Sequence, residues 1–254
     1  MQKFIQQQLE ETFKDRESFT KEELEHFFKR HEPDLNEHTF YSRIRALKIK
    51  NVITQLNRNV YTLSSKKEFI PDIDKNLAEL GLLIMDFFWR QEPYCIWDSN
   101  WINQFSQHQA VKNIHIVEAD KVELLSLFSF LKDKGWENAF LKPDKDMLYL
   151  YARENEVPVV IKPLVSRSPL MTKQYNSQKL SIPSLEKILV DIYTDVFIFA
   201  NIQGAELETI FEKAISRYAV NFTTLLAYAR RRNKEEQIKL YLKTHFAHLV
   251  NSVI

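Results

Sequence analysis

Glycine is nearly missing from this 254-residue sequence: only Gly81, Gly135 and Gly204 occur, each far from the others. Neither a GxGxxG dinucleotide turn nor a GxxxxGK[ST] phosphate loop can be built from them, since both need closely spaced glycines to bring backbone N–H groups onto phosphate. Nucleotide binding through those loops is excluded, and no cofactor is expected. Cysteine is scarcer still. Cys95 stands alone, which rules out an internal disulfide framework and fits a reducing, cytoplasmic setting. No apolar run approaches the roughly 18 residues that cross a bilayer, and the stretch Met1–Glu11 is polar, so neither a membrane partner nor a secretory signal is expected. Hydrophobic content of 44% and charged content of 27% are ordinary for a globular protein, and the length accommodates two modest domains.

Acidic residues are absent from His38 to Lys67, where Arg43, Arg45, Lys48, Lys50, Arg58, Lys66 and Lys67 supply seven basic ones. The 37 preceding residues hold ten acidic and six basic side chains, so the net charge of +1 conceals a local asymmetry. A polyanion would be drawn to this segment first.

Local patterning says what the segment forms. Phe4, Ile5, Leu9 and Phe13 mark a helix from Met1 to Lys14. Thr20 with Glu23 makes a capping box for a second helix, which buries Leu24, Phe27 and Phe28 and ends before Pro33. Asp34 or Asn36 caps a third, running to about Lys50, with Phe40, Ile44 and Leu47 inward. That register turns His38, Thr39, Ser42, Arg43 and Arg45 outward, a face suited to a DNA major groove. Val52–Gln55 and Val60–Leu63 then flank an Asn-containing turn and read as a hairpin with Arg58 at its tip, poised for phosphate. Three helices and a hairpin spell a winged helix-turn-helix over residues 1–65. The alternatives are a merely solvated basic face, or a winged helix that binds protein.

Ser64 to Ile70 reads as a linker, closed by Pro71-Asp72. Residues 71–254 then form a second domain. Ile73, Leu77, Leu80, Ile84 and Phe87 mark a helix, and Tyr94–Trp97 and Asn113–Val117 read as strands around a helix with Trp101, Ile102 and Phe105. Asp120 with Glu123 caps a helix that stops near Gly135. Ala139–Leu141, Met147–Tyr151 and Val157–Ile161 add strands. From about Pro183 the pattern is helical: Leu185, Ile188, Leu189 and Ile192, then Leu207, Ile210, Phe211 and Ala214, then a short helix capped by Asn221. A last helix, capped by Asn233 with Glu236, buries Ile238, Leu242, Phe246 and Leu249. The fold class is α+β: an N-terminal winged helix-turn-helix, then a mixed α/β domain ending in a helical bundle. Arg230, Arg231, Arg232 and Lys234 make a second basic cluster. It is either a helix C-terminus whose dipole favours cations, or a second contact to nucleic acid or an acidic partner.

Several of these pieces together resemble a known family. Leu47-Lys48-x-Lys50-Asn51-Val52-Ile53 and Arg58-Asn59-Val60-Tyr61-x-Leu63 look like the winged-helix head of bacterial AbiEi-type antitoxins. Downstream, Trp101-Ile102-Asn103-Gln104-Phe105, Ile116-Val117-Glu118 and Leu164–Leu170 agree. The segment Ile182-Pro183-Ser184-Leu185-Glu186-Lys187-Ile188-Leu189-Val190-Asp191 is similar to that family's Pro-x-Leu-Glu-Lys-x-Leu-Val-Asp signature. The resemblance implies a transcriptional autorepressor that binds operator DNA and counters a nucleotidyltransferase toxin. It sets Arg43, Arg45, Lys48, Lys50 and Arg58 where that family's DNA-binding module lies.

Catalysis finds less footing. A magnesium-dependent nuclease would place a carboxylate two residues before a lysine. Pro143-Asp144 resembles the opening of that pattern, but before Lys162 the position is Val160, and none of the 34 acidic residues has lysine at +2. His245 and His248 sit one helical turn apart with no carboxylate or thiol to complete a metal set nearby. Cys95 reads as an inert buried thiol, and His115 as a strand histidine hydrogen-bonded to the interior, with general base as the alternative. Glu186 reads as a first-turn helix charge or a buried ion pair. Trp97, Trp101 and Trp136 read as core. The expectation is therefore a non-enzymatic DNA-binding regulator without a metal, against two rivals: a protein-interaction adaptor and a divergent nuclease.

Overall fold

The computed structural model describes residues 2–49, 52–63, 67–89, 93–107, 113–144, 146–148 and 156–250. Near the amino end, α1 (Gln2–Phe13) buries Ile5, Leu9 and Phe13, whereas Phe4 lies on the solvent side. The next helix, α2 (Lys21–His31), starts at the expected capping box: Thr20 accepts from the Glu23 N–H and Glu23 accepts from the Thr20 N–H. Asn36, rather than Asp34, caps α3 (Glu37–Ile49), its Oδ1 accepting the Thr39 N–H at 2.8 Å. Phe40 and Ile44 are buried and Leu47 is half-buried.

The expected hairpin forms from β2 (Ile53–Asn57) and β3 (Val60–Leu63), with an irregularity between Gln55 and Asn57. A strand the sequence reading lacked, β1 (Phe19–Thr20), pairs antiparallel with β3, giving the sheet order β1-β3-β2. Two residues are too few to register as a strand without their partner. Leu9, Leu24, Phe27, Phe28, Phe40, Ile53 and Tyr61 belong to one small core beneath this sheet.

The larger unit is built on β4 (Tyr94–Asp98), β5 (His115–Ala119), β6 (Ala139–Leu141) and β7 (Val159–Pro163), ordered β4-β5-β7-β6. The edge strand β4 runs antiparallel to β5, and the remaining three are parallel. This is the expected mixed sheet. Every residue of β4 and β5 is buried, so both read as near-continuous apolar runs, as strands covered on two faces must. On one side lies α4 (Lys75–Phe87), whose Gly81 approaches so closely that a Cβ would stand 2.4 Å from Ile96 Cδ1. Beyond come α5 (Leu124–Asp133), α6 (Leu185–Thr194), α7 (Ala205–Arg217), α8 (Phe222–Arg231), α9 (Glu235–His245) and the short α10 (Ala247–Val250). No helix among the described residues is long and apolar enough to cross a membrane.

Several expectations fail here for identifiable reasons. Asp120 and Glu123 make no capping box: Asp120 Oδ1 accepts from Val122, and α5 starts without a side-chain cap. Of the stretch expected as strand Met147–Tyr151, residues 146–148 are a helical turn capped by Asp144 and the rest lies outside the described residues. A second hairpin, β8 (Leu170–Tyr175) with β9 (Gln178–Pro183), was not foreseen. Asn233 does not cap α9; it takes a left-handed φ of 56° and Lys234 occupies the N-cap position. Nor is 64–70 a free linker. Residues 64–66 lie outside the described ones, but Lys67 bridges to Tyr218, and Phe69 is buried against Phe105. The first hairpin is anchored on both sides: Ile53 and Tyr61 enter the small core, while Leu56 and Val60 pack on the large one.

Candidate nucleic-acid interface

Between α3, the start of α2 and the hairpin tip lies an open cleft of about 540 Å³, lined by Lys21, Tyr41, Ile44, Arg45, Lys48, Gln55, Arg58, Asn59 and Tyr61. Four of these are cations, and no carboxylate among the described residues lines it. Local rules explain the convergence. Positions 41, 45 and 48 recur at helical spacing and so share one face of α3. Lys21 is the first residue of α2, and its backbone N–H donates to the Asn59 carbonyl at 2.7 Å, which ties that helix start to the hairpin turn. The turn is set by Asn57, whose side chain accepts the Asn59 N–H at 2.9 Å. The cleft is stitched across: Lys48 Nζ donates to Gln55 Oε1 at 2.8 Å, and Gln55 Nε2 donates to the Arg58 carbonyl at 3.3 Å. Lys21 Nζ sits 5.5 Å from the centre of the Tyr41 ring and donates to its hydroxyl.

The sequence-derived residues divide on this geometry. Arg45, Lys48 and Arg58 are exposed and converge on the cleft. His38 and Ser42 are exposed on α3 outside it. Lys50 lies outside the described residues. Arg43 must be removed from the outward face: its Nη2 donates to both Glu32 oxygens, at 2.9 and 3.2 Å, and the side chain is half-buried. Thr39, Ser42, Arg43 and Ala46 instead border a groove of about 200 Å³ against α1. Two residues along a helix is a rotation of about 200°, so Arg43 and Arg45 cannot share a face. Lys21 was missed, because it precedes the acid-free run and joins the others only through the β1–β3 pairing.

The second basic cluster loses half its members. Arg232 is internal to the protein, donating to Asp191 Oδ1 at 2.7 Å and to Asp195 Oδ1 at 2.5 Å. Lys234 is half-buried at the α9 N-cap. Arg230 pairs with Glu235 yet stays exposed, and with Arg231 and Arg167 it borders a second basic cleft.

Arg232 belongs to a buried charge network under the C-terminal ends of β5 and β7. Glu118 and Lys162 are register partners on those strands. Lys187 Nζ donates to both Glu118 oxygens, at 2.6 and 2.8 Å, and to Asp191 one helical turn away. Lys162 Nζ stands 2.6 Å from Asp195 and 3.5 Å from Asp191. Trp97 Nε1 donates to Glu118, and the Tyr228 hydroxyl to Asp191. Three acids face three bases, and Lys187 and Asp191 are wholly buried. Burial alone would raise the Asp191 carboxyl, but the charges of Lys162, Lys187 and Arg232 overrule it and hold it below the usual carboxylate range. Burial, with Asp191 nearby, pushes the Tyr228 hydroxyl up to about 12.

Cys95 is buried and its thiol pushed up by desolvation, an inert core residue as expected. Glu186 accepts the Asn221 backbone N–H at 2.8 Å, tying α6 to the start of α8 rather than to a cation. His115 is buried, but the expected interior hydrogen bond is missing: neither ring nitrogen has a hydrogen-bond partner among the described residues. His245 lies 3.4 Å from Glu208 on the surface, and the side chain of His248 is outside the described residues.

Residues 39–248 match a family of unknown function (DUF6577), and the chain belongs to that family. No curated protein matches the sequence.

Proposed function

We propose that the protein is a cytoplasmic regulator that binds double-stranded DNA without catalysis, through an N-terminal winged helix-turn-helix comprising α1–α3 and the β1-β3-β2 sheet. The observation that carries this reading is the cleft with Lys21, Arg45, Lys48 and Arg58 on its walls and no acid among them. In this reading α3 enters the major groove with His38, Ser42 and Arg45 toward base edges, while Lys21, Lys48 and Arg58 hold phosphates of the flanking backbone. The motif resemblance extends the proposal to an operator upstream of the protein's own gene and to antagonism of a nucleotidyltransferase toxin. The signature helix itself offers such a toxin no surface, because Glu186, Lys187 and Asp191 all point inward. A nuclease is disfavoured by the same burial, since Lys162 is committed to Asp195, Asp191 and Glu118.

The test is retention of a labelled duplex covering the upstream region, read by fluorescence anisotropy. The wild-type chain and Arg43→Gln should bind alike, and the double variant Arg45→Gln/Lys48→Gln should lose at least tenfold in affinity. A wild type that ignores the duplex, or a double variant that binds it undiminished, defeats the proposal.

A further inference from the structure

The unsatisfied imidazole of His115 sits at the other end of the sheet from the charge network. His115 opens β5 and is the register partner of Asp98, which closes β4. Both are buried, His115 to 1% exposure. Asp74, the N-cap of α4, comes in from the solvent side. Each carboxylate spends one oxygen on a backbone cap: Asp74 Oδ1 accepts the Leu77 N–H at 2.7 Å, and Asp98 Oδ1 accepts the Asn100 N–H at 2.7 Å. Both second oxygens face His115 Nε2, at 4.0 Å from Asp74 and 3.5 Å from Asp98. One ligand atom from each of the three residues lies within 4.8 Å of the other two.

Two converging carboxylate oxygens and a buried imidazole that makes no hydrogen bond to the described residues form an arrangement suited to a cation. An orphaned buried polar group is costly, and a cation at the centre would satisfy all three groups at once. We propose that Asp74, Asp98 and His115 bind one divalent transition-metal ion. Ligand bonds of about 2.0–2.2 Å in a tetrahedron set neighbouring ligand atoms about 3.4 Å apart. His115 and Asp98 already stand at that spacing, and the exposed Asp74 side chain closes the remainder by rotating. An imidazole among the ligands selects Zn²⁺ over Mg²⁺ or Ca²⁺, which prefer oxygen alone. Each cap holds one carboxylate oxygen and leaves the other to turn toward the ion. The Trp101 indole donates to the Asp72 carbonyl at 2.8 Å, two residues before Asp74. The ion would staple the start of α4 to the sheet edge.

The full-length chain, stripped with EDTA and desalted, is titrated with ZnCl₂ by calorimetry, with MnCl₂ as comparison. One zinc ion per chain is expected, with a rise in melting temperature. His115→Ala and Asp74→Asn should each weaken uptake tenfold or more. Asp74→Asn retains the capping oxygen, so its stripped form should melt with the stripped wild type and keep the result interpretable if His115→Ala misfolds. If the wild type takes up no stoichiometric zinc, the proposal fails. It also fails if Asp74→Asn binds zinc as tightly as the wild type.

Discussion

Replacing Lys187 by methionine breaks into the buried charge network from one side. The substitution keeps an unbranched side chain of similar length in the α6 core and removes the charge. In the intact protein Glu118, Asp191 and Asp195 balance Lys162, Lys187 and Arg232. The variant leaves one buried negative charge over, with Lys162 Nζ no closer than 3.7 Å to Glu118. Breaking a buried ion pair from one side costs about 3–5 kcal/mol. In a chain of this size, about 2–4 °C of melting temperature per kcal/mol makes that a fall of roughly 6–20 °C. Thermal unfolding followed by circular dichroism reads it directly. Lys75→Met is the control, because its partner Glu79 is 3.7 Å away and both side chains are largely in water; such a pair contributes about 0.5 kcal/mol or less. Adding Glu118→Gln to Lys187→Met should recover part of the loss, since it removes the orphaned charge. A Lys187→Met protein within about 1 kcal/mol of wild type would refute the reasoning, as would a double variant less stable than the single one by the full cost of a second break.

Two further outcomes follow from charge. If the four cleft cations each displace a counterion from DNA, the slope of log affinity against log salt is about −3.6 per chain, a loss of about 150-fold between roughly 50 and 200 mM salt. Arg58→Gln should flatten that slope by about 0.9, and Arg43→Gln should leave it unchanged; equal slopes for all three proteins would remove Arg58 from the contact. The second outcome concerns pH. Asp191 is held below its ordinary value in the folded protein, so its contribution is present above the unfolded value of about 4 and is lost as pH falls below it. The stability gap between wild type and Asp191→Asn, measured by urea unfolding, should be constant from about pH 5 to 8 and shrink below about pH 4. A gap that widened on acidification would contradict the pairing.

The parts legible in the sequence are those that short-range rules determine. The capping box at Thr20, the inner stripes of α2 and α3 and the Asn-bearing hairpin turn each depend on residues within a few positions. What escaped needed a partner distant in the chain. β1 exists only because β3 lies beside it. Periodicity places Arg43 outward because its partner Glu32, eleven residues back, is the C-cap of the preceding helix, a neighbour that local patterning does not supply. Asp98 and His115 are seventeen positions apart and meet only once the β4–β5 register is set. Other signals were present and unread. The β8–β9 hairpin turns at Asn176 with a left-handed φ of 51°, much as the first hairpin turns on an Asn-containing loop. Lys187 and Asp191 sit at i, i+4 on a largely apolar helix, a spacing that already pairs them.

That burial changes what the motif resemblance is worth. A signature whose charged residues face inward is a signature of a core, and similarity in it speaks for a shared fold before a shared partner. The family match is independent of that resemblance. It starts at Thr39 and takes in Arg45, Lys48 and Arg58 together with the whole charge network, but leaves out Lys21 and the helices α1 and α2. Phe40 and Ile44 share one core cluster with Leu24, Phe27 and Phe28, which lie outside the match, and with Ile53 and Tyr61, which lie inside it. Leu56 and Val60 rest on the large core, so the strands that flank Arg58 are clamped by residues inside the family match rather than hinged on a linker. On the DNA-binding reading a duplex would meet a fixed surface, and the ordering cost of a mobile hairpin would not be subtracted from its affinity.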